Sequence, residues 1–539
     1  MAGGRAHRPA RNFGAFPRLG FEMTRSRCSL LAPAVVAATL WAAGPAQAAE
    51  VLRVDPSGKA TKVEDPFVPS RADGDLGKEP RTRTSSPRAG ASAASSRAGA
   101  SARKKKRKKG PTRGQKAVTS ALSTALKRRS ISRSKYRRYK RQYALARSRR
   151  AKLKGQRGRE LQSVIATVEA IALRRQLTAS RMTPVFLILG RNTEFWRASP
   201  FPKSRGYVQF RGSQMLFEYY VGEGLQLQPL ANFKKANALH GACVKPTGVP
   251  CDKAALGKLL GEMAATRVTR GRFKAYEYYF DFGGGKPPWI SGMATATGVQ
   301  AFGRASKLLG QGKWRTYAAE TFRAFDTPAP TGVATRGPLG GTHYLQYSFA
   351  RRLFVINAFL QSVIGLYDYA EDTGDLTAAR LWRQAEPEAR AELPRHDTGD
   401  WSTYSYQGRE STREYYDLLL EFTAGLCHRL HTDVYCNTTR NFRDYISKPA
   451  DLQLAGPATA TRGEETQVRF SVSKRSAVQV VITLDGKMSL NKTATFRRGQ
   501  GSFTWKPGGT GTYSVSLAAK ELRTGMGLRT RDTGEIESQ

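Results

Sequence analysis

Acidic residues are in short supply. The 539 residues carry 42 Asp and Glu against 89 Lys and Arg, a formal net charge of +47 at pH 7. A surface so one-sided repels basic partners and draws polyanions towards it. Histidine numbers only 6 and cysteine 5, and neither close cysteine pair has the C-x-x-C spacing of a zinc site. No metal and no other cofactor is therefore expected. Beyond residue 41 no apolar run approaches the roughly 20 residues needed to span a bilayer, so no transmembrane segment is expected after the N-terminal leader.

Residues 1–48 have the layout of a secretory signal peptide. Arg25 and Arg27 precede an apolar run over 30–41, and Ala46, Gln47 and Ala48 supply the small-residue cleavage site. Met23 stands just before this pattern and is a second candidate start. The mature chain is expected to be secreted or held at the cell envelope. Cys28 lies inside the leader, which leaves Cys243, Cys251, Cys427 and Cys436. An even count in an exported chain points to disulfides. Of the three possible connectivities, Cys243 with Cys251 and Cys427 with Cys436 is the simplest, since both pairs are close in sequence.

The positive charge is concentrated early in the chain: residues 101–160 hold 25 Lys and Arg and a single acid, Glu160. Residues 49–114 are rich in Ser, Ala, Gly, Pro and Arg, lack the large apolar residues a core needs, and are expected to be a disordered basic linker. Residues 115–180 turn helical, with Val118, Leu122 and Leu126 and then Tyr136, Tyr139 and Tyr143 on one side of a basic amphipathic segment. An arm of this charge is expected to hold anionic cell-envelope polymers by charge neutralisation, nucleic acid being disfavoured by export. A small β element is expected over 181–224, from apolar runs at 184–189, 207–210 and 215–221. Helical periodicity dominates 225–448, in segments near 293–309, 314–325, 353–369, 376–393 and 411–430. After Pro449 the period becomes two, so residues 449–525 are expected to form a small immunoglobulin-like β-sandwich, followed by a disordered tail at 526–539. The expected fold class is mainly α.

One stretch, EYYFDFGGGKPPWISGM at 277–293, organises the helical region. An aromatic run breaks at Gly283, Gly284 and Gly285, is stiffened by Pro287 and Pro288, and enters a helix at Met293. Glycines permit backbone angles closed to other residues and prolines fix theirs, which is how a ligand-facing loop is made.

The motifs GGKPPWISGM at 284–293, YLQY at 344–347, VINAFLQSVIGLYD at 355–368 and LPRHDTGDWSTY at 393–404 resemble the C-terminal catalytic domain of the D-glucuronyl C5-epimerase family, in the family's order and with similar spacing. The resemblance implies an α/α toroid, an incomplete α/α barrel, over residues 225–448, and inversion of glucuronate to iduronate at C5 of an anionic, heparan-type polysaccharide. That chemistry needs a base on one face of the sugar, an acid on the other, and neutralisation of the carboxylate. The resemblance implies Tyr347 and Tyr415 as the acid–base pair, with Gln346 at the position of the family's catalytic Glu. Gln346 cannot take a proton at neutral pH, although it can hydrogen-bond a carboxylate. Tyr416 and Leu419 stand where the family has histidines. Substrate contacts are implied at Trp289, Ser291, Met293, Tyr344, Arg351, Asn357, Arg395, Asp397, Trp401 and Tyr404. Trp289, Trp401 and Tyr404 offer faces for sugar stacking, and Arg351, Arg352, Arg395 and Arg413 are candidate carboxylate clamps. A β-eliminating polysaccharide lyase, which shares the first proton abstraction, and a non-catalytic glycan-binding protein are the alternatives.

Overall fold

The computed structural model describes residues 48–69, 110–245 and 248–539. The expected leader up to residue 47 and residues 70–109 of the expected linker lie outside them.

Residues 48–69 correct the expectation of disorder. β1 (Ala48–Val54) and β2 (Ala60–Pro69) form an antiparallel pair, and β1 runs parallel to β3 (Tyr207–Phe210) with Val51 opposite Tyr207. β4 (Leu216–Tyr220) and β5 (Gly224–Leu227) complete a sheet of order β2-β1-β3-β4-β5. Composition hides this because the apolar residues of β1 find their partners in a strand far along the chain. Asp65, buried in β2, takes the Lys235 ammonium at 2.8 Å, so two charges that could not be buried singly are buried together.

The basic segment is folded as well. α1 (Arg113–Lys127), α2 (Arg133–Lys152), α3 (Gly155–Leu173) and α4 (Ala179–Phe195) pack on one another. Val118, Leu122, Tyr139, Tyr143, Leu161, Ile165 and Phe186 are buried between them, and Tyr139 stacks on Phe186 with ring centroids 4.6 Å apart. Residues 115–180, expected as a basic amphipathic helical segment, lie in these helices: each has one stripe apolar enough to bury and carries its lysines and arginines on the other side. The run at 184–189, expected as a strand, lies in α4, because an apolar run buried on every side has no periodicity to tell the two apart.

The helical region follows as α5 (Pro229–Val244), α6 (Lys253–Ala264), a hairpin of β6 (Val268–Arg270) and β7 (Phe273–Ala275), α7 (Gly292–Leu309), α8 (Lys313–Ala319) and α9 (Arg323–Asp326). A second hairpin, β8 (Ala334–Arg336) and β9 (Thr342–Tyr344), precedes α10 (Ile356–Thr373), α11 (Leu376–Glu392), α12 (Arg413–Leu430) and α13 (Asp433–Ser447). α7 is buried along most of its length between α5 and α10. It meets α10 backbone to backbone: a Cβ on Gly365 would stand 2.5 Å from the carbonyl oxygen of Ala296. Asp368 of α10 accepts from Arg429 of α12 at 2.6 Å and from Arg304 of α7 at 2.9 Å, tying three helices together. α13 is not among the expected helices, since its buried side chains are few, Tyr435, Thr438, Thr439 and Phe442. Cys243 is bonded to Cys251 and Cys427 to Cys436. Among the described residues no helix is long and apolar enough to cross a membrane.

Eight strands close the chain: β10 (Leu452–Gly456), β11 (Thr459–Ala460), β12 (Thr466–Val472), β13 (Ser476–Leu484), β14 (Lys487–Phe496), β15 (Gly499–Trp505), β16 (Gly511–Glu521) and β17 (Arg529–Ser538). β10, β12 and β15 form one sheet and the others a second, with Val468, Phe470, Val480, Phe503 and Leu517 in a shared core. Residues 529–538 correct the expected disordered tail: they pair along the whole of β16. Ile536 is the one buried apolar side chain of β17, so no alternation is visible in its sequence.

If α1 to α4 are part of the core, Phe186→Ala should lower stability by about 3–5 kcal/mol, the cost of emptying an aromatic site. The midpoint of urea unfolding measures it, and a change under about 1 kcal/mol would show that this layer is dispensable.

Candidate active site

The 277–293 stretch folds back on itself. Gly283 and Gly284 take φ of 53° and 87°, left-handed angles that close a tight turn. Phe282 and Gly285 on either side exchange backbone hydrogen bonds of 3.1 and 2.7 Å, and Tyr278 and Trp289 exchange another pair further back. The basic layer and the β6 strand hold this hairpin from below. Arg174 donates to the carbonyl of Pro287 at 2.5 Å and Arg270 to that of Pro288 at 3.2 Å. Arg270 and Arg181 also grip the buried Glu277, Arg181 with two bonds of 2.8 Å, and Tyr279 donates to the same carboxylate at 2.9 Å.

The hairpin leads into the N-terminus of α7, where the Ser291 hydroxyl accepts from the Ala294 N–H at 3.1 Å and donates to Gln346 Oε1 at 3.2 Å. Backbone bonds continue the seam: Gly292 N–H to Leu345 at 2.9 Å and Ser348 N–H to Ile290 at 3.0 Å, while the Ser348 hydroxyl accepts from Ile290. The glycine hairpin and the YLQY segment therefore lie side by side, and Tyr347 is wedged against Phe282, Trp289 and Phe349, with centroids 5.6, 5.8 and 5.6 Å away.

A cleft of about 870 Å³ opens over this seam. Its walls are Phe282, Gly283 and Gly284, then Thr335 and Arg336, the run from Tyr347 through Phe349 to Phe354, and Tyr404. Arg336, Arg351 and Arg352 are exposed on it, and none of its lining residues is a carboxylate. Tyr347 and Tyr404 are 7% and 5% exposed, so each shows the cleft only a small part of its ring. Tyr415 does not line it. Its ring centroid lies 4.7 Å from that of Tyr404, and Asn357 fixes this first turn of α12 by donating to the Tyr415 carbonyl at 2.8 Å.

Of the other expected contacts and clamps, only Arg351 and Arg352 are on the cleft. Trp289 is 4% exposed with Tyr278 stacked at 4.1 Å on it and Phe282 beside it, so its faces are closed to a sugar. Trp401 is stacked at 3.9 Å on Tyr416, with the guanidinium of Arg523 over its ring. Tyr344 is fully buried and donates to the Leu381 carbonyl at 2.8 Å, and burial holds its phenol far above the usual range. Met293 and Ser291 are buried in α7 and at its cap. Asp397 accepts from Tyr445 at 3.1 Å and from the Gly399 N–H, making it a turn residue. Arg413 is held to Asp417 and to the carbonyl of Thr524, and Arg395 is exposed. Aromatic motifs predict these positions as ligand contacts, but large rings bury most of their area in cores unless a cleft spares them. Arg336 was missed. The signal for it is the β8–β9 register, in which Arg336 pairs with Thr342 and so stands next to the YLQY segment.

The loop carrying Tyr404 is clasped by the C-terminal sandwich. Arg523 bonds both Asp400 and Glu410, the two ends of the loop, and the Arg475 N–H donates to Asp400 at 3.1 Å. On its inner side the loop joins the start of α10, Tyr406 N–H bonding the Phe354 carbonyl at 3.0 Å. No group of three or more His, Cys, Asp and Glu among the described residues is arranged to hold a metal.

Comparison with known proteins bears on this region. Residues 269–444 match the D-glucuronyl C5-epimerase C-terminus family. They contain every cleft-lining residue. A D-glucuronyl C5-epimerase of Caenorhabditis elegans is 30% identical over 130 residues, 22% of this chain and 21% of that protein. An uncharacterised protein of Methanocaldococcus jannaschii is 22% identical over 160 residues, 29% of this chain and 52% of that one. The aligned regions thus span about a fifth and about half of these relatives. Among solved structures, an endo-beta-1,4-glucanase of Acetobacter xylinum is 14% identical with a TM-score of 0.31, covering 43% of this chain and 72% of that one, a likeness too distant to carry an argument.

One group near the hairpin should titrate near neutrality. Glu223, in the turn between β4 and β5, is raised to about 7 by burial and then by the charge of Asp281, against a smaller lowering by Lys286. Its folded value exceeds its unfolded one, so the stability it contributes is complete below the unfolded value of 4.5 and is lost as pH rises through about 7. Glu223→Gln should therefore raise Tm more at about pH 8 than at about pH 4. An equal change at both pH values would contradict the assignment.

Proposed function

We propose that this chain is an extracytoplasmic uronosyl C5-epimerase acting on an acidic polysaccharide, with its family's α/α toroid over residues 225–448 and an immunoglobulin-like sandwich after it. The observation that carries the reading is the pairing, on one cleft within the matched region, of Tyr347 and Tyr404 with Arg336, Arg351 and Arg352 and no lining carboxylate. The two disulfides support a location outside the cytoplasm.

The chemistry follows from what a uronate ring offers. The proton on C5 lies next to the carboxylate, and removing it pushes an electron pair into that carboxylate. The intermediate is tolerable only where cations take up the added charge, and the arginines supply them bidentately. A tyrosine near pKa 10 is a strong base once ionised, and nearby guanidinium groups favour the phenolate. Tyr347 serves one face of the ring. Tyr404, backed by Tyr415, serves the other, in place of the Tyr415 assignment implied by resemblance alone. Gln346 is neither an acid nor a base at neutral pH and holds the seam by accepting from Ser291. An acidic polymer of this kind would meet the positive charge outside the cleft as well, on the basic helices.

The test is deuterium uptake at C5 of a uronate polysaccharide in heavy water. The wild type should exchange without forming unsaturated chain ends. Tyr347→Phe and Tyr404→Phe should each slow inversion by about 10²- to 10⁴-fold, and Tyr415→Phe by less, since it acts through the Tyr404 ring. Wild-type rates in the first two variants would remove them from the reaction, and unsaturated ends would assign a lyase instead.

A further inference from the structure

The positive charge of this chain is not spread evenly over its folded surface. In α2, 10 of 20 residues are Lys or Arg and none is acidic. Arg133, Arg137, Arg141 and Arg147 are among the eight that are exposed, and among the described residues none of the ten is within ion-pair distance of an acid. Arg133 with Arg137 and Arg137 with Arg141 stand one turn apart, an arrangement of like charges that opposes the helix. Tyr139, Tyr143 and Ala146 anchor the opposite side in the core, so the helix is held in place with its repulsion unrelieved. At its C-terminal half a groove of about 380 Å³ runs between α2 and α4, lined by Gln142, Leu145, Arg149, Leu187, Arg191 and Arg197 among others. The one acid there, Glu194, is taken by Arg191 at 3.1 Å. Gln142 Oε1 and Arg191 Nε are buried and have no hydrogen-bond partner.

We infer that α2 and the α2–α4 groove form a second binding site, separate from the cleft, for a segment of acidic polysaccharide. The inference rests on the substrate class proposed above and adds where the polymer is held. The helix is about 30 Å long, enough to follow an extended polyanion, and neutralising its charges relieves their mutual repulsion. In the groove, Leu145 and Leu187 offer an apolar floor to the face of a sugar, and the guanidinium groups of Arg149 and Arg197 offer donors to its carboxylate. Single-stranded nucleic acid is bound by stacking bases on aromatic rings, which the groove lacks. A membrane-surface helix turns its apolar side outwards, whereas that of α2 faces the core. Such a site raises the local concentration of polymer without taking part in proton transfer.

The test is binding of fluorescent hyaluronan, a polymer charged only by its uronates, to the full chain. The triple variant Arg137→Ser, Arg141→Ser, Arg149→Ser should bind about tenfold more weakly at low salt, with a shallower dependence on salt. The triple variant Lys487→Ser, Lys492→Ser, Arg497→Ser removes the same charge from exposed positions of β14 and the turn after it and should bind as the wild type does. Equal weakening in both would overturn the site, leaving only diffuse attraction, as would tighter binding of a DNA duplex or of anionic vesicles than of hyaluronan. Loss of binding in the α2 variant of a chain with no epimerase activity would support this site and refute only the reaction.

Discussion

The seam between residues 290–292 and 345–348 is the constraint on which the site depends. Its three backbone and serine hydrogen bonds set the glycine hairpin against the YLQY segment, and the N-cap of α7 is shared between them through Ser291 and Gln346. Tyr347 is fixed because its neighbours on both sides are bonded to another element. Were the seam to open, Phe282 and Tyr347 would no longer form one wall of the cleft, and the arginines on the run after Tyr347 would lose their direction. Such bonds contribute about 1 kcal/mol each to stability, so their importance here is geometric.

Several of the scarce acids hold arginines between elements. Glu277 is gripped by Arg181 and Arg270, Asp368 by Arg304 and Arg429, Asp400 by Arg523, and Glu218 by Arg205. Each of these acids is buried or nearly so, where an unpaired carboxylate would be costly and a paired one fixes the relative position of two elements more than it stabilises them. They also give the flanking parts of the chain a role at the cleft. The basic layer reaches the hairpin through Arg174 and Arg181, and the sandwich reaches the Tyr404 loop through Arg523.

Local signals carried the sequence reading a long way. The period of 3.6 found α7, α10, α11 and α12, because each buries a broad stripe, and the motifs located the hairpin and Tyr347. Pairing of distant segments was not legible. β1 has a short apolar run whose partner strand lies beyond four helices, β17 buries one apolar side chain, and α13 buries four residues, so none of them shows a pattern by itself. Side-chain exposure was not legible either. Trp289, Trp401 and Tyr344 have the chemistry of sugar contacts and serve as core, while Arg336 has no motif and lies on the cleft. That Tyr404 and not Tyr415 lines the cleft depends on a loop braced by the C-terminal strands, information that no local pattern holds.

The central claim is that a uronate ring sits between Tyr347 and Tyr404 with its carboxylate on the cleft arginines. A crystal structure of the Tyr347→Phe variant with a uronate oligosaccharide tests it most directly. The account predicts a ring in the cleft, its carboxylate within about 3 Å, hydrogen-bond distance, of Arg336, Arg351 or Arg352, and C5 between positions 347 and 404. A sugar bound elsewhere, or one whose carboxylate points away from the arginines while C5 faces neither tyrosine, would contradict it.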